Sequence, residues 1–152
     1  MKLRLSLLIF LCLMCISFSW ITSVYAEARK EKWTFMGFTK YRDALYIEMN
    51  SISHPFPNIV WVWSFIAPSE KSKYLQQIKK EVEKSKKSTG GLKSTEILNE
   101  IDCAKNRIRY GQIVYLTIGG TIIHSADNPD SEWKDIYPGS LWQNMRNAVC
   151  GN

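Results

Sequence analysis

Short catalytic motifs and histidine are both scarce in this sequence. It has no Gly-x-Ser-x-Gly, no His-Glu-x-x-His and no glycine-rich phosphate loop ending in Gly-Lys-Ser. The 2 histidines among its 152 residues are His54 and His124. Either imidazole could be a general base or contact a heme, but neither has a nucleophile or an acid partner near it in the sequence. We therefore expect two half-exposed loop or strand residues and a protein that is not an enzyme.

Patterns of metal ligands are lacking as well. Cys103 and Cys150 are not part of a Cys-x-x-Cys pair, and with only two histidines available they make a poor zinc set. Asp127, Asp130 and Glu132 could hold calcium loosely, but the dense alternation of ligands and the glycine of a calcium loop are missing. We expect a solvated loop there, and neither a metal nor a cofactor.

The N-terminus has the pattern of an export signal. Lys2 and Arg4 precede an apolar run over residues 5–21, and Val24 and Ala26 are small residues at the two positions that a signal peptidase recognises. The pattern predicts a signal peptide over residues 1–26, with cleavage after Ala28 as the alternative. Residues 27–152 would then form one domain that is periplasmic or secreted, with the membrane involved only before cleavage.

Two other uses of the apolar run are less well supported. The run approaches the length of a spanning helix, so it could remain as an uncleaved anchor. Lipidation would need a small residue before the cysteine, whereas Leu11 precedes Cys12 and Met14 precedes Cys15. The Ala-x-Ala-like site favours cleavage.

Removal of the signal leaves Cys103 and Cys150 as the cysteines of the mature chain. An even number of cysteines in an exported protein usually indicates a disulfide. In the chain-entropy model a bond closing a loop of this length stabilises the fold by roughly 4 kcal/mol. A nucleophilic thiol is the alternative, and the structural disulfide is favoured.

Alternating apolar residues predict three strands in the first half of the mature chain, at 33–38, 44–49 and 59–66. The second strand is expected to place Leu45, Ile47 and Met49 on one side. The segment 54–58 contains two prolines and is not expected to continue a strand.

The strand at 59–66 is apolar on both faces. Its aromatic residues Trp61, Trp63 and Phe65 share one face, and the other carries Val60, Val62 and Ile66. This predicts a central strand that is covered on both sides, or one whose second face binds a partner. Core is favoured over a binding platform for the aromatic residues.

Residues 69–95 carry eight lysines against three glutamates, a net charge of 8 − 3 = +5. Tyr74, Leu75, Ile78 and Val82 have helical spacing, which predicts an amphipathic helix around residues 73–85. The segment could bind anionic macromolecules or membrane surfaces, although a solvated helix is the favoured interpretation. Nucleic acid is not an expected partner, because Tyr74 is the only interleaved aromatic residue and the chain is exported. The candidate anion-binding patch is Lys79, Lys80, Lys84, Lys86 and Lys87.

The second half predicts further strands and a final helix. Strands are expected at 95–103, with Glu96, Glu100 and Asp102 on a solvated face, and at 108–118, followed by a turn at Gly119-Gly120 into 121–123. Ser140 and Gln143 form a capping box before an apolar stripe of Leu141, Met145, Ala148 and Val149. Trp133 and Trp142 are expected where this helix meets the sheet. The fold class is α+β, an antiparallel sheet with the C-terminal helix packed on one face.

Several of these segments, taken in order, resemble the surface-adhesin protein E-like domain of Gram-negative bacteria over almost the whole mature chain. The most specific segments are Glu100-Ile101-Asp102-Cys103 and a late Trp133-x-x-Ile136-x-Pro138-Gly139-Ser140 followed by Val149-Cys150. Trp33 and Tyr41-x-Asp43 are weak taken alone. The order also includes Asn50-Ser51-Ile52, Val60-Trp61-Val62-Trp63 and Arg107-Ile108-Arg109.

The resemblance implies an exported domain built as an antiparallel sheet with a C-terminal helix and a disulfide, here Cys103 with Cys150. The founding adhesin of the family is an outer-membrane lipoprotein that binds host matrix and plasma proteins and can dimerise. This implies a non-enzymatic binding protein for host or envelope macromolecules, and a homodimer. A periplasmic accessory or stress-response protein on the same fold is the alternative, and a small hydrolase ranks last.

Overall fold

A computed structural model describes residues 32–69, 72–84, 91–117, 119–128 and 131–151 of the chain. The predicted signal peptide, residues 1–26, lies outside the described residues, as do Ala28, Lys86, Lys87 and Asp130. The chain from Trp33 onwards clusters as one unit.

One antiparallel sheet and two helices make up this unit. In the described ranges the main strand order is β1-β2-β4-β5-β6-β7, with β3 added to the edge of β4 and β8 to that of β6. The strands are β1 (Thr34–Phe38), β2 (Ala44–Ile47), β3 (Ser53–Phe56), β4 (Ile59–Ala67), β5 (Leu92–Asp102), β6 (Arg107–Thr117), β7 (Ile122–Asp127) and β8 (Lys134–Asp135). The helices are α1 (Lys73–Lys84) and α2 (Leu141–Cys150). The α+β class with a C-terminal helix is confirmed.

The core lies on the aliphatic face of the central strands. Along β4, Val60, Val62 and Ile66 are buried, whereas Trp61 and Trp63 on the opposite face are half-buried. Ile97 and Ile101 of β5 extend the buried face across the sheet. The prediction that Trp61, Trp63 and Phe65 are core was wrong, since all three are half-buried. Alternation showed two apolar faces, but it contains no information on which of them the helices cover.

Helix α2 begins where the sequence predicted. The Ser140 hydroxyl accepts a hydrogen bond from the Gln143 backbone N–H at 3.2 Å, which caps the first turn. The Gln143 side chain does not complete the capping box, because it donates to Asn147 instead. Met145 and Val149 are buried against the sheet, but Ala148 is exposed, so its place in the apolar stripe was wrong.

The predicted disulfide between Cys103 and Cys150 is confirmed, with the two Cα atoms 5.8 Å apart. Cys103 lies in the turn that follows β5, and Cys150 is the last residue of α2. The Arg146 guanidinium also donates to the carbonyl oxygen of Cys103 at 3.0 Å. The C-terminal turn of α2 is therefore held to the end of a central hairpin by one covalent and one polar contact.

Helix α1 packs on the same side of the sheet as α2. Its Ile78 and Val82 are buried with Leu92 and Tyr115, and this second cluster shares Ile113 with the main core. The helix predicted for residues 73–85 is thus confirmed as Lys73–Lys84. Its apolar stripe faces the sheet, because an amphipathic helix is stabilised by burying that stripe.

Local details differ from the predictions at the edge of β4. Ser53–Phe56 is a strand despite Pro55, because β3 is an edge strand and a proline there need not donate to a neighbour. Met49 does not continue β2 but begins a 3₁₀ turn and is 42% exposed. The Ser51 hydroxyl accepts from the Trp63 N–H at 2.9 Å and donates to the Glu48 carbonyl, which holds this turn against β4.

Candidate binding surfaces

Aromatic side chains gather on the side of the sheet opposite both helices. The pairing of β1, β2 and β4 places Phe35 beside Tyr46 and Tyr46 beside Phe65, so three strands contribute to one row. We name this surface the aromatic face, and its members are Trp33, Phe35, Phe38, Tyr46, Trp61, Trp63 and Phe65. Side chains alternate along a strand, and the β-bulge between Phe35 and Gly37 brings Phe38 to the same side as Phe35, so all of them point away from the core.

Five rings of the aromatic face form a chain of contacts, those of Trp33, Phe35, Phe38, Tyr46 and Phe65. Phe35 lies 5.0 Å from Phe38 and 5.4 Å from Tyr46 between ring centroids, and Trp33 lies 5.4 Å from Phe65. Phe35 is 47% exposed and Phe38 is 65% exposed, although a large apolar side chain is usually buried. A contiguous apolar patch of this kind on a soluble domain is typical of an interaction site.

The neighbouring part of the same sheet face is charged. Arg109 Nη2 lies 2.8 Å from Glu100 Oε2, and Arg107 Nε lies 3.1 Å from Asp102 Oδ2. The Trp133 ring lies against both guanidiniums, 4.7 Å and 4.8 Å from its centroid. Trp133 is therefore on the face opposite α2, not at the helix–sheet junction as predicted, whereas Trp142 does pack on the core.

Asp102 is the buried member of this charged group. Burial on its own would raise the pKa of its carboxyl group. Hydrogen bonds from the Lys105 backbone N–H at 3.0 Å and from the Arg107 guanidinium outweigh that effect and hold the pKa below its usual value. Asp102 is thus a structural anion, and its expected place on a solvated face was wrong.

The lysines of α1 face solvent on the other side of the molecule. Lys79, Lys80 and Lys84 are exposed, because the opposite side of the helix is buried. Lys86 and Lys87 of the predicted patch lie outside the described residues. The three described lysines are separated from the aromatic face by the sheet, so the fold does not join the two predicted binding surfaces into one.

A cavity of about 330 Å³ lies between the two helices and the sheet. Isoleucines of three neighbouring strands line it, together with aromatic residues of both helices and the β1–β2 loop. We name it the interhelical cavity. Sequence analysis missed it, because its lining comes from distant parts of the chain and no local spacing joins them.

The remaining candidates are scattered. His54 is exposed on β3, and the His124 ring stacks on Tyr115 at 5.9 Å between centroids. Asp127 accepts a hydrogen bond from the Gln112 side chain at 2.8 Å. Within the described ranges no three His, Cys, Asp or Glu side chains are grouped so that they could hold a metal ion. The same ranges contain no helix with the length and hydropathy that a membrane crossing requires.

Comparisons with known proteins agree with this architecture. Residues 33–151 match the model of a family described as surface-adhesin protein E. The fold is similar to a crystal structure of Haemophilus influenzae protein E, with a TM-score of 0.50 and 13% sequence identity over 78% of this chain and 87% of that chain. At that identity the likeness shows a shared fold alone. No curated protein matches the sequence.

Proposed function

Because the chain belongs to the surface-adhesin protein E family, we propose that it is an exported, non-enzymatic protein that binds a macromolecule through its aromatic face. Membership of a family of surface adhesins implies an exported or surface location. The Ala-x-Ala-like site before Glu27 supports a cleaved signal and a periplasmic or secreted domain. The observation that carries the proposal is the cluster of aromatic rings, two of them well exposed, on the side of the sheet that neither described helix covers.

The aromatic face is suited to binding by its composition and its support. Tyrosine, tryptophan and phenylalanine are enriched at the centres of protein interfaces, where a few such residues supply most of the binding energy. Here they stand on paired strands, so little conformational entropy is lost when a partner orders them. Burial of apolar surface favours association by about 25 cal/mol for each Å² removed from water, and the loss of translational and rotational freedom on binding offsets part of this gain.

The basic side of α1 supports a separate, electrostatic contribution. A lysine near an anionic membrane surface contributes about 1 kcal/mol to attraction. Lys79, Lys80 and Lys84 lie on the helix side of the sheet, away from the aromatic face. Attraction of the basic side to an anionic envelope surface would leave the aromatic face directed outward, where a macromolecular partner could reach it.

The aromatic face can be tested with Phe38→Ser, since this ring is 65% exposed and its removal leaves the core intact. Binding of the disulfide-bonded protein to immobilised basement-membrane extract and to isolated bacterial envelope would be measured by biolayer interferometry. We expect the substitution to weaken binding about tenfold, since truncation of an interface residue that contributes to binding costs more than about 1 kcal/mol. Tyr137→Ser is the matched control, because this aromatic residue is 72% exposed but lies outside the aromatic face.

Two results would change the proposal. Equal binding by Phe38→Ser and the unsubstituted protein would remove the aromatic face from it. Binding to the envelope fraction with none to host matrix would favour the periplasmic accessory protein instead. Sedimentation of the same variants separates self-association into a homodimer from binding of a different partner.

A further inference from the structure

The floor of the interhelical cavity is apolar. Ile66, Ile97 and Ile113 come from β4, β5 and β6, which are neighbours in the sheet, and all three line the cavity. Ile66 and Ile97 also belong to the main core, so the floor is held by packing beneath it. A volume of about 330 Å³ over such a floor is within the range of small-molecule sites.

The walls are aromatic and come from both helices. Tyr74 and Gln77 of α1 form one side of the cavity. Trp142 of α2 forms another side, next to Tyr110 of β6. The Tyr110 and Trp142 rings lie 6.0 Å apart at 57°. Burial raises the pKa of both the Tyr74 and the Tyr110 hydroxyl, so both remain neutral. The walls therefore offer uncharged aromatic surface to a ligand.

The mouth of the cavity is basic. Thr39, Lys40 and Tyr41 of the β1–β2 loop line it. The Lys40 ammonium lies 5.0 Å from the Tyr41 ring centroid and that of Lys73 lies 5.7 Å from the same ring, so the ring brings two cations to one rim.

The carboxylate at this rim, that of Asp43, accepts hydrogen bonds from the protein. One carboxylate oxygen of Asp43 accepts from the Ser69 N–H at 2.9 Å, and the other accepts from the Thr39 hydroxyl at 3.2 Å. Asp43 is 1% exposed and binds the loop to the chain after β4. Asp43 also lines the cavity, so two lysines and one aspartate give this rim a formal charge of 2 − 1 = +1.

From this combination we infer that the interhelical cavity binds a small carboxylate or similar anion whose apolar body enters between the helices. A volume of about 330 Å³ is at the lower end of the range for small-molecule sites, so the ligand is a small one. The apolar body would rest on the isoleucine floor and against Trp142, with its anionic group near Lys40 at the mouth. This site lies on the helix side of the sheet and does not involve the aromatic face.

The test is a titration of the exported, isotope-labelled protein, with its disulfide intact, followed by amide NMR shifts. The probes are octanoate and 3-phenylpropanoate, each compared with the corresponding alcohol, octan-1-ol or 3-phenylpropan-1-ol. We expect shifts confined to the residues around the cavity, among them Lys40, Gln77, Ile113 and Trp142. Stronger binding of octanoate would indicate an acyl chain as the natural body, and stronger binding of 3-phenylpropanoate an aromatic acid.

Two substitutions on exposed positions test the geometry without disturbing the core. Gln77→Trp places a large ring at the cavity wall and should weaken binding of all four probes at least tenfold. Gln76→Trp is its control, since Gln76 is exposed on the same helix and does not line the cavity. Lys40→Gln should weaken carboxylate binding about threefold, as for a solvent-exposed ion pair, and leave alcohol binding unchanged. Lys79→Gln should change neither.

The absence of cavity shifts with all four probes at millimolar concentration would overturn the inference, as would equal binding by Gln77→Trp and Gln76→Trp. Equal loss of carboxylate and alcohol binding in Lys40→Gln would overturn its anionic part. None of these outcomes bears on the aromatic face, because Phe38 lies on the other side of the sheet and its variant is measured with a different partner.

Discussion

Gly37 lies where β1 passes beneath the start of α2. Its φ of 138° is in a region that side-chain-bearing residues rarely adopt. A Cβ atom at this position would lie 2.8 Å from the Leu141 Cδ1 atom, which is closer than van der Waals contact allows. The absence of a side chain at Gly37 therefore leaves room for the Leu141 side chain against β1.

Gly37→Ala is expected to lower the free energy of unfolding by about 2–3 kcal/mol, mainly because a φ of 138° lies in a backbone region that is essentially confined to glycine. The contact adds little, since Leu141 Cδ1 is the far end of a flexible side chain that can move. Gly139→Ala is the comparison, since Gly139 has a φ of 73° and nothing lies within 4 Å of the added Cβ, so the loss there should be about 1 kcal/mol. Urea unfolding of the two variants measures the difference. A loss at Gly37 no larger than that at Gly139 would contradict the greater backbone strain at Gly37.

At the scale of elements, α2 is attached to the sheet at both ends. Its first turn packs over Gly37, and its last residue forms the disulfide to the turn after β5. The turn itself is anchored further, because the Cys103 N–H donates to the Asn58 carbonyl at 2.8 Å. The disulfide thus connects the C-terminal helix to the β5–β6 hairpin, and the hydrogen bond to Asn58 extends this connection to the β3–β4 hairpin.

Replacement of both cysteines, Cys103→Ser with Cys150→Ser, is expected to lower the free energy of unfolding by about 4 kcal/mol, mainly because the unfolded chain gains freedom. Thermal unfolding of the oxidised and the reduced protein gives the same comparison without a substitution. The double variant is the control for the reductant, since adding reductant to it should leave its midpoint unchanged. A midpoint of the natural protein that does not respond to reduction would contradict a stabilising role for the bond.

The sequence predicted the two helices well, because each of them is marked by a clear local pattern. The Ser140 cap and the apolar spacing of α1 are properties of consecutive residues, so both helices were predicted within a residue or two. Strand β3 was not predicted, because Pro55 excludes a central strand but not an edge strand. Whether this segment forms a strand depends on its place at the edge of the sheet, which is set by its pairing with β4.

At the scale of the whole molecule, the sheet separates two surfaces of different chemistry. The aromatic face is on one side, and the basic side of α1 and the interhelical cavity are on the other. The lysine-rich segment has a structural role besides its charge, since its helix covers the end of the sheet and forms a wall of the cavity. Deletion of residues 69–95 would therefore remove both the basic surface and a wall of the cavity. Single substitutions are the sharper tests, because each of them changes only one of these features.

If the protein is exported, the whole chain should have lost its signal peptide and should carry an oxidised cysteine pair. Intact-mass spectrometry of the protein from cell fractions should give a mass that begins at Glu27 or Arg29. That mass should be two hydrogens lighter before reduction than after it, because Cys103 and Cys150 form a bond. The matched sample is the Cys103→Ser, Cys150→Ser variant, whose mass should not change on reduction. A full-length, membrane-bound mass with free thiols would contradict both cleavage and the oxidised state.

The amino-acid sequence alone determined the fold class, the two helices, the disulfide partners and the family resemblance, because each depends on local periodicity or on residue identity. It also determined that β4 is apolar on both faces. Only the tertiary structure decided that Val60, Val62 and Ile66 face the helices while Trp61, Trp63 and Phe65 remain half-buried. That choice, like the cavity, follows from register and packing between distant segments, since an isolated strand with two apolar faces has no energetic reason to bury one before the other.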